Sequence, residues 1–125
     1  MNKITSTIRY GNNVTEPDEW QRESNPWTVT LRYKGRQFTF PFWTGSAIAE
    51  PSTFDAAYCV LSDAIGDDPF FEGWAADYGY DIDSRKAEKI WRAVRRNAKR
   101  TRTLLGDDFY TFAAMDEDEL AEVTA

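Results

Sequence analysis

Histidine is absent from this chain of 125 residues, and cysteine occurs once. Without imidazole, the commonest general base and the commonest metal ligand are missing. Ser-His and Cys-His nucleophile pairs are excluded, as are zinc sites that need a histidine. The composition therefore points away from an enzyme, and no cofactor is expected. A lone cysteine, Cys59, cannot form an internal disulfide. It stands in Ala56-Ala57-Tyr58-Cys59-Val60-Leu61, the setting of a small core residue and not of a nucleophile. No apolar run approaches the roughly 20 residues that cross a bilayer. Met1-Asn2-Lys3-Ile4-Thr5 carries no signal-peptide apolar stretch. A reducing cytoplasm is the expected compartment. Repeats, Gly/Ser or Pro linkers and phosphate-cradling glycine loops are missing too, so residues 1-125 read as one domain.

Bases are missing from two stretches. Residues 50–83 hold nine acids and no base, and residues 107–125 hold seven acids and no base. Between them, residues 84–106 hold nine bases (Arg85, Lys86, Lys89, Arg92, Arg95, Arg96, Lys99, Arg100 and Arg102) against one acid, Glu88. The overall charge is −6. A basic segment is thus bracketed by two acidic ones.

Aromatics are plentiful: eight Phe, six Tyr and five Trp supply bulky core material. Trp27, Val29, Leu31 and Tyr33 alternate with Thr28, Thr30, Arg32 and Lys34, and Phe38, Phe40 and Phe42 alternate with Gln37, Thr39 and Pro41. This period of two marks half-buried strands. Lys34-Gly35-Arg36 supplies a tight reversal, so residues 27-43 read as a β-hairpin with an aromatic face. Trp43 falls on the opposite face and is the aromatic expected to be exposed, with Trp20, in a polar loop, the second. Residues 1-26 read as weakly structured, with an edge strand over Ile4 to Tyr10.

Residues 52-115 read as helical. Ser52 or Thr53 caps a helix with Phe54, Ala57, Tyr58, Leu61, Ala64 and Ile65 on one face, and Gly66 suits a left-handed stop. Asp67 or Asp68 caps a short helix with Pro69 at its first position, and Phe70, Phe71, Trp74, Ala75 and Tyr78 form its apolar side. Ser84 or Asp83 starts a long helix that Gly106 stops. A last short helix follows, and residues 116-125 are expected to fray as an acidic tail. The expected class is α+β: an N-terminal antiparallel hairpin or small sheet against a C-terminal bundle of three to four helices, one of them long, basic and amphipathic.

At ~100° per residue, the nine bases cover about half of the long helix, centred opposite an Ala87, Val94 and Leu105 stripe. Like charges at i, i+3 and i+4 repel by a few tenths of a kcal/mol per pair, so this helix needs counter-charges or an anionic partner. Three readings follow. Asp63, Asp67, Asp68, Glu72, Asp77, Asp107 and Asp108 could neutralise it. Alternatively Arg85, Lys89, Arg92, Arg95, Arg96, Lys99 and Arg102 face outward and engage phosphates or an acidic protein surface. In the third, those same seven acids meet a partner's basic groove as a nucleic-acid mimic would. Asp77, Asp81 and Asp83 raise the question of a hard cation, but the glycine and glutamate of an EF-hand loop are out of frame, and no metal is expected.

Phe71-Glu72-Gly73-Trp74, then Gly79-Tyr80-Asp81-Ile82-Asp83-Ser84-Arg85-Lys86-Ala87-Glu88, then the basic helix ending in Leu104-Leu105-Gly106, form a pattern that resembles small proteins of bacteriophages and prophages. The likeness extends loosely back to Phe40-Pro41-Phe42 and covers residues 37 to 110. It implies phage origin and action in the host bacterial cytoplasm, and it carries over no catalytic residue. Phage accessory proteins of this size and acidity commonly inhibit host defence, anti-CRISPR proteins foremost. The expectation is a non-enzymatic inhibitor of a host protein or ribonucleoprotein effector such as CRISPR-Cas. The alternatives are a nucleic-acid-binding accessory protein using residues 85–102 and a virion assembly protein.

Overall fold

The computed structural model describes residues 2–10, 25–44 and 50–125, the side chains of residues 25, 26, 43 and 44 excepted. The α+β class expected from the sequence is what the structure shows. Strands β1 (Thr5–Tyr10), β2 (Asn25–Tyr33) and β3 (Arg36–Thr44) form an antiparallel sheet in the order β1-β2-β3. Lys34 and Gly35 both take positive φ, 48° and 78°, the backbone of the two-residue turn that matches strand twist. Pairing sets Val29 opposite Phe40, Leu31 opposite Phe38 and Ile8 opposite Val29, so one face is apolar. The other face is threonine-rich and knitted across strands. Thr30 and Thr39 hydroxyls bond at 2.8 Å, and Arg32 donates to Thr7 Oγ1 at 2.6 Å and to Gln37 Oε1 at 3.2 Å. Trp20 and the side chain of Trp43, the two aromatics expected to be exposed, lie outside the described residues.

The apolar face is covered by α1 (Thr53–Ile65) and by the C-terminal half of α3 (Arg85–Leu105). Ser52 and Asp55 form a reciprocal capping box at the start of α1. Ala56, Ala57, Val60, Leu61 and Ala64 of α1 join Val29, Leu31, Tyr33, Phe40, Ala98, Leu104 and Leu105 in the main core. Gly66 ends α1 at φ −90°, not in the expected left-handed conformation. Instead Arg102 Nη2 donates to the Ala64 carbonyl at 3.0 Å, serving the C-terminal carbonyls of a helix with no base in its own last turn.

Helix α2 (Phe71–Tyr78) packs on the N-terminal half of α3 as a second cluster of Trp74, Ala75 and Ala87, with Phe71, Ile90, Trp91 and Val94 against it. It starts two residues later than Pro69, with Phe70 at the cap and no side-chain cap bond. Asp68 forms a turn instead, its Oδ1 accepting from Phe70 N at 2.9 Å. Phe70 and Tyr78, expected on the apolar side, are exposed, as are Tyr58 and Ile65 of α1. Among the described residues, no second layer covers those flanks.

The segment from Phe71 to Glu88 is a turn-and-cap module. A Cβ on Gly73 would lie 2.8 Å from Asp68 Oδ2. Gly79 takes the left-handed stop of α2, and Tyr80 stacks on Trp74 at 5.0 Å. Asp81 accepts from Asp83 N, and Ser84, not Asp83, caps α3 by accepting from Ala87 N at 3.1 Å.

The chain continues from α3 through a 3-10 turn (Gly106–Asp108) into α4 (Phe109–Ala113) and then α5 (Glu117–Val123). The acidic tail expected to fray is helical. Asp116 and Glu119 form a capping box, and Glu117, Asp118 and Glu119 fill the first turn, where the helix dipole favours acids. Leu120 is buried, and Ile4 N donates to the Val123 carbonyl at 2.9 Å, tying this end to the strand that opens the sheet.

A candidate anion-binding cleft on the long helix

The face of α3 that turns inward carries Ala87, Ala98, Thr101, Leu104 and Leu105, all buried. Thr101 is tolerated there because its hydroxyl donates to the Asn97 carbonyl at 2.7 Å. The opposite face carries the bases, and two grooves run along it, sharing Arg96 and Lys99 as the ridge between them.

The first groove, of about 590 Å³, lies between β3 and α3. Arg36, Arg96, Lys99 and Arg100 surround it, Phe38 and Leu104 give it an apolar lining, and Gln37 and Thr103 are its neutral polar groups. Among the described residues, no carboxylate lines it. Arg36 is oriented by its own fold: Nε donates to the Leu104 carbonyl at 2.8 Å, and the guanidinium lies against Gly106, where a Cβ would sit 3.3 Å from Nη2. Gly106 has φ 55°, so this close approach sits where a side chain would also strain the backbone.

The second groove, of about 650 Å³, faces the α1–α2 connection and is lined by Arg92, Arg95, Arg96, Lys99, Arg102 and one acid, Asp67. Here the charge is partly answered. Arg95 pairs with Asp67 at 3.3 Å and lies over the Trp91 ring, 5.6 Å from its centroid. Trp91 is fixed by donating to the Asp68 carbonyl at 3.0 Å. Arg102 lies 4.4 Å from the Phe109 ring centroid. Arg92 pairs with Glu88 one turn back at 2.6 Å, an exposed pair worth about 0.3–0.5 kcal/mol.

The structure thus brings Arg92, Arg95, Arg96, Lys99 and Arg102 together, and leaves Arg85 and Lys89 toward the start of α3, outside both grooves. Among the described residues, the side chains of Arg85, Lys86, Arg96, Lys99 and Arg100 make no hydrogen bond or ion pair. Sequence reasoning missed Arg36, Gln37, Phe38 and Thr103 as neighbours of the basic face and left Arg100 out of its candidate set. Arg36 follows the hairpin glycine and reads as a turn residue. Only the docking of the hairpin on α3 reveals its place.

The acids expected to neutralise the helix or meet a partner are dispersed. Asp67 answers Arg95 and Asp68 shapes a turn. Asp108 accepts from the Tyr33 hydroxyl at 2.6 Å and pairs with Lys34 at 2.9 Å. Those two bonds hold its carboxyl below the usual range, while burial, together with Asp108, pushes the Tyr33 phenol up to about 12. Asp63 is half-buried on α1, and burial raises its carboxyl to about 6. Burial, with Asp63 nearby, raises the Cys59 thiol to about 12, which leaves it unreactive. Glu72, Asp77 and Asp107 are exposed. Among the described residues no group of three or more Cys, Asp or Glu could hold a metal ion, and no helix is long and apolar enough to cross a membrane. No protein-family model, curated protein or solved structure matches this chain.

Proposed function

We propose that this chain is a non-enzymatic inhibitor that docks on a host nucleoprotein defence complex through its charged surfaces, with the basic face of α3 as the principal contact. The observation that carries the reading is the groove between β3 and α3, where four cations converge and, among the described residues, no carboxylate is part of the lining. Folding has brought like charges together, at a cost of a few tenths of a kcal/mol per adjacent pair, and an anionic partner removes that cost. The resemblance to phage accessory proteins supplies the setting: the host bacterial cytoplasm and a CRISPR-Cas or comparable effector. The chain's overall charge of −6 opposes encounter with free polyanions at long range, which favours a partner that also offers basic protein surface to Glu72, Asp77 and Asp107.

The test is plasmid interference in a bacterium with an active defence complex. The wild-type chain is expected to protect a targeted plasmid, and Arg96→Glu, Lys99→Glu and Arg100→Glu together are expected to abolish protection while the variant stays folded. Affinity capture with and without nuclease then separates protein contact from nucleic-acid bridging. Full protection by the triple variant would contradict the reading.

A further inference from the structure

A groove built only to grip phosphates has no use for an apolar lining, yet the space between β3 and α3 has one. Phe38 stands half-buried on the sheet, its ring stacked on Phe40 at 5.3 Å, and Leu104 lies across from it on the helix. The cations Arg36, Arg96, Lys99 and Arg100 surround these two side chains. The groove therefore suits a ligand with a flat apolar body and an anionic edge. Its volume of about 590 Å³ falls within the roughly 300–1,000 Å³ typical of sites that enclose small organic groups.

Polar groups are placed for such a ligand as well. Thr103 donates its hydroxyl proton to the Lys99 carbonyl at 3.1 Å, which leaves its oxygen to accept. Arg36, fixed through Nε by the Leu104 carbonyl, presents a preoriented planar guanidinium, a group that both pairs with phosphate and stacks on flat rings.

We infer that the groove between β3 and α3 is a subsite for one unstacked nucleotide of a single-stranded nucleic acid, with the base over Phe38 and the phosphates on Arg96, Lys99 and Arg100. The inference rests on the reading of the basic face as the docking surface, and it narrows the contact to the exposed single strand of the partner complex. Duplex is disfavoured because its bases are stacked within the helix and only its phosphates and groove edges are outermost, so Phe38 would gain no partner. Aromatic stacking platforms beside basic grooves are the general solution to single-strand binding.

The experiment is a fluorescence-anisotropy titration of the full chain at low salt with three labelled probes of equal length: an oligothymidylate, the same strand made abasic, and a duplex. The expected result is binding of the oligothymidylate at least tenfold tighter than the abasic strand or the duplex. Phe38→Leu, which keeps apolar volume on the sheet but removes the ring, should weaken the oligothymidylate by about five- to tenfold and leave the duplex unchanged. Equal affinity for the intact and abasic strands, or duplex binding as tight as single-strand binding, overturns the subsite while leaving the basic docking face standing. No binding to any probe, with protection in the interference assay intact, overturns the subsite and assigns the face to a protein surface. No binding together with no protection removes both.

Discussion

The acidic and basic regions of this protein are used in opposite ways. Of the sixteen acids of residues 50–83 and 107–125, seven serve the fold directly. Asp55, Asp116 and Glu119 cap helices, Asp68 and Asp81 close turns, Asp67 holds Arg95, and Asp108 ties the hairpin tip to the end of α3. The bases of α3 mostly do not. Arg95 and Arg102 are engaged where the helix meets its neighbours, but Arg85, Lys86, Arg96, Lys99 and Arg100 have no counter-charge among the described residues. The net charge of −6 hides this difference. A chain that is acidic in sum presents a basic cleft, because its acids are distributed over local backbone duties while its bases converge.

The largest effect expected from that contrast is on binding. Arg96→Glu, Lys99→Glu and Arg100→Glu together should lower affinity for an anionic partner on the order of 100-fold, while thermal unfolding shows stability unchanged or slightly higher, since the like-charge repulsion is relieved. A variant that unfolds would mean these bases are structural after all.

Asp63 sharpens the comparison from the acidic side. Its folded value of about 6 lies above its ordinary 3.8, so the folded state holds a proton that the unfolded state has released. Stability from this group is full at low pH and falls as pH rises from about 4 to 6. Asp63→Asn should stabilise by on the order of 1–3 kcal/mol above pH 7 and have no such effect near pH 4, as read from denaturant unfolding at both values.

Ser52→Ala and Asp116→Ala each remove a helix cap and should each cost about 1 kcal/mol. Tyr33→Phe removes the bond to Asp108 and should cost about the same. All three are read by denaturant unfolding, and the two cap variants should leave partner affinity within twofold. The smallest effect belongs to Glu72→Gln with Asp77→Asn, exposed acids whose side chains make no hydrogen bond or ion pair among the described residues. Stability should stay within about 0.5 kcal/mol.

Much of the fold was legible in the chain because its signals are local. Alternation from Trp27 to Phe42 sets both strands and their shared face, and Lys34-Gly35 specifies the turn. Ser84 and Gly106 bound the long helix, and spacing along it separates the buried stripe from the basic face. The acidic C-terminus departs from the expected frayed tail, since charge density signals a helix start here and not solvation. Glu117, Asp118 and Glu119 instead lie in the first turn of α5, and Leu120 buries its other side. The candidate site was half legible. Periodicity groups Arg92, Arg95, Arg96, Lys99 and Arg102, but the other wall comes from β3. The meeting of Arg36 and Phe38 with residues roughly sixty positions away depends on how the hairpin tip docks through Tyr33 and Arg36, which no local pattern encodes.

The central claim is that cations on α3 are held ready for an external anion, and the salt dependence of binding counts them. For oligothymidylate, log affinity against log salt should be steeper for the wild-type chain than for Arg96→Gln/Lys99→Gln/Arg100→Gln by about 2, the loss of three phosphate contacts at about 0.7 each. Identical slopes for the two proteins would show that these side chains touch no phosphate, and would contradict the account.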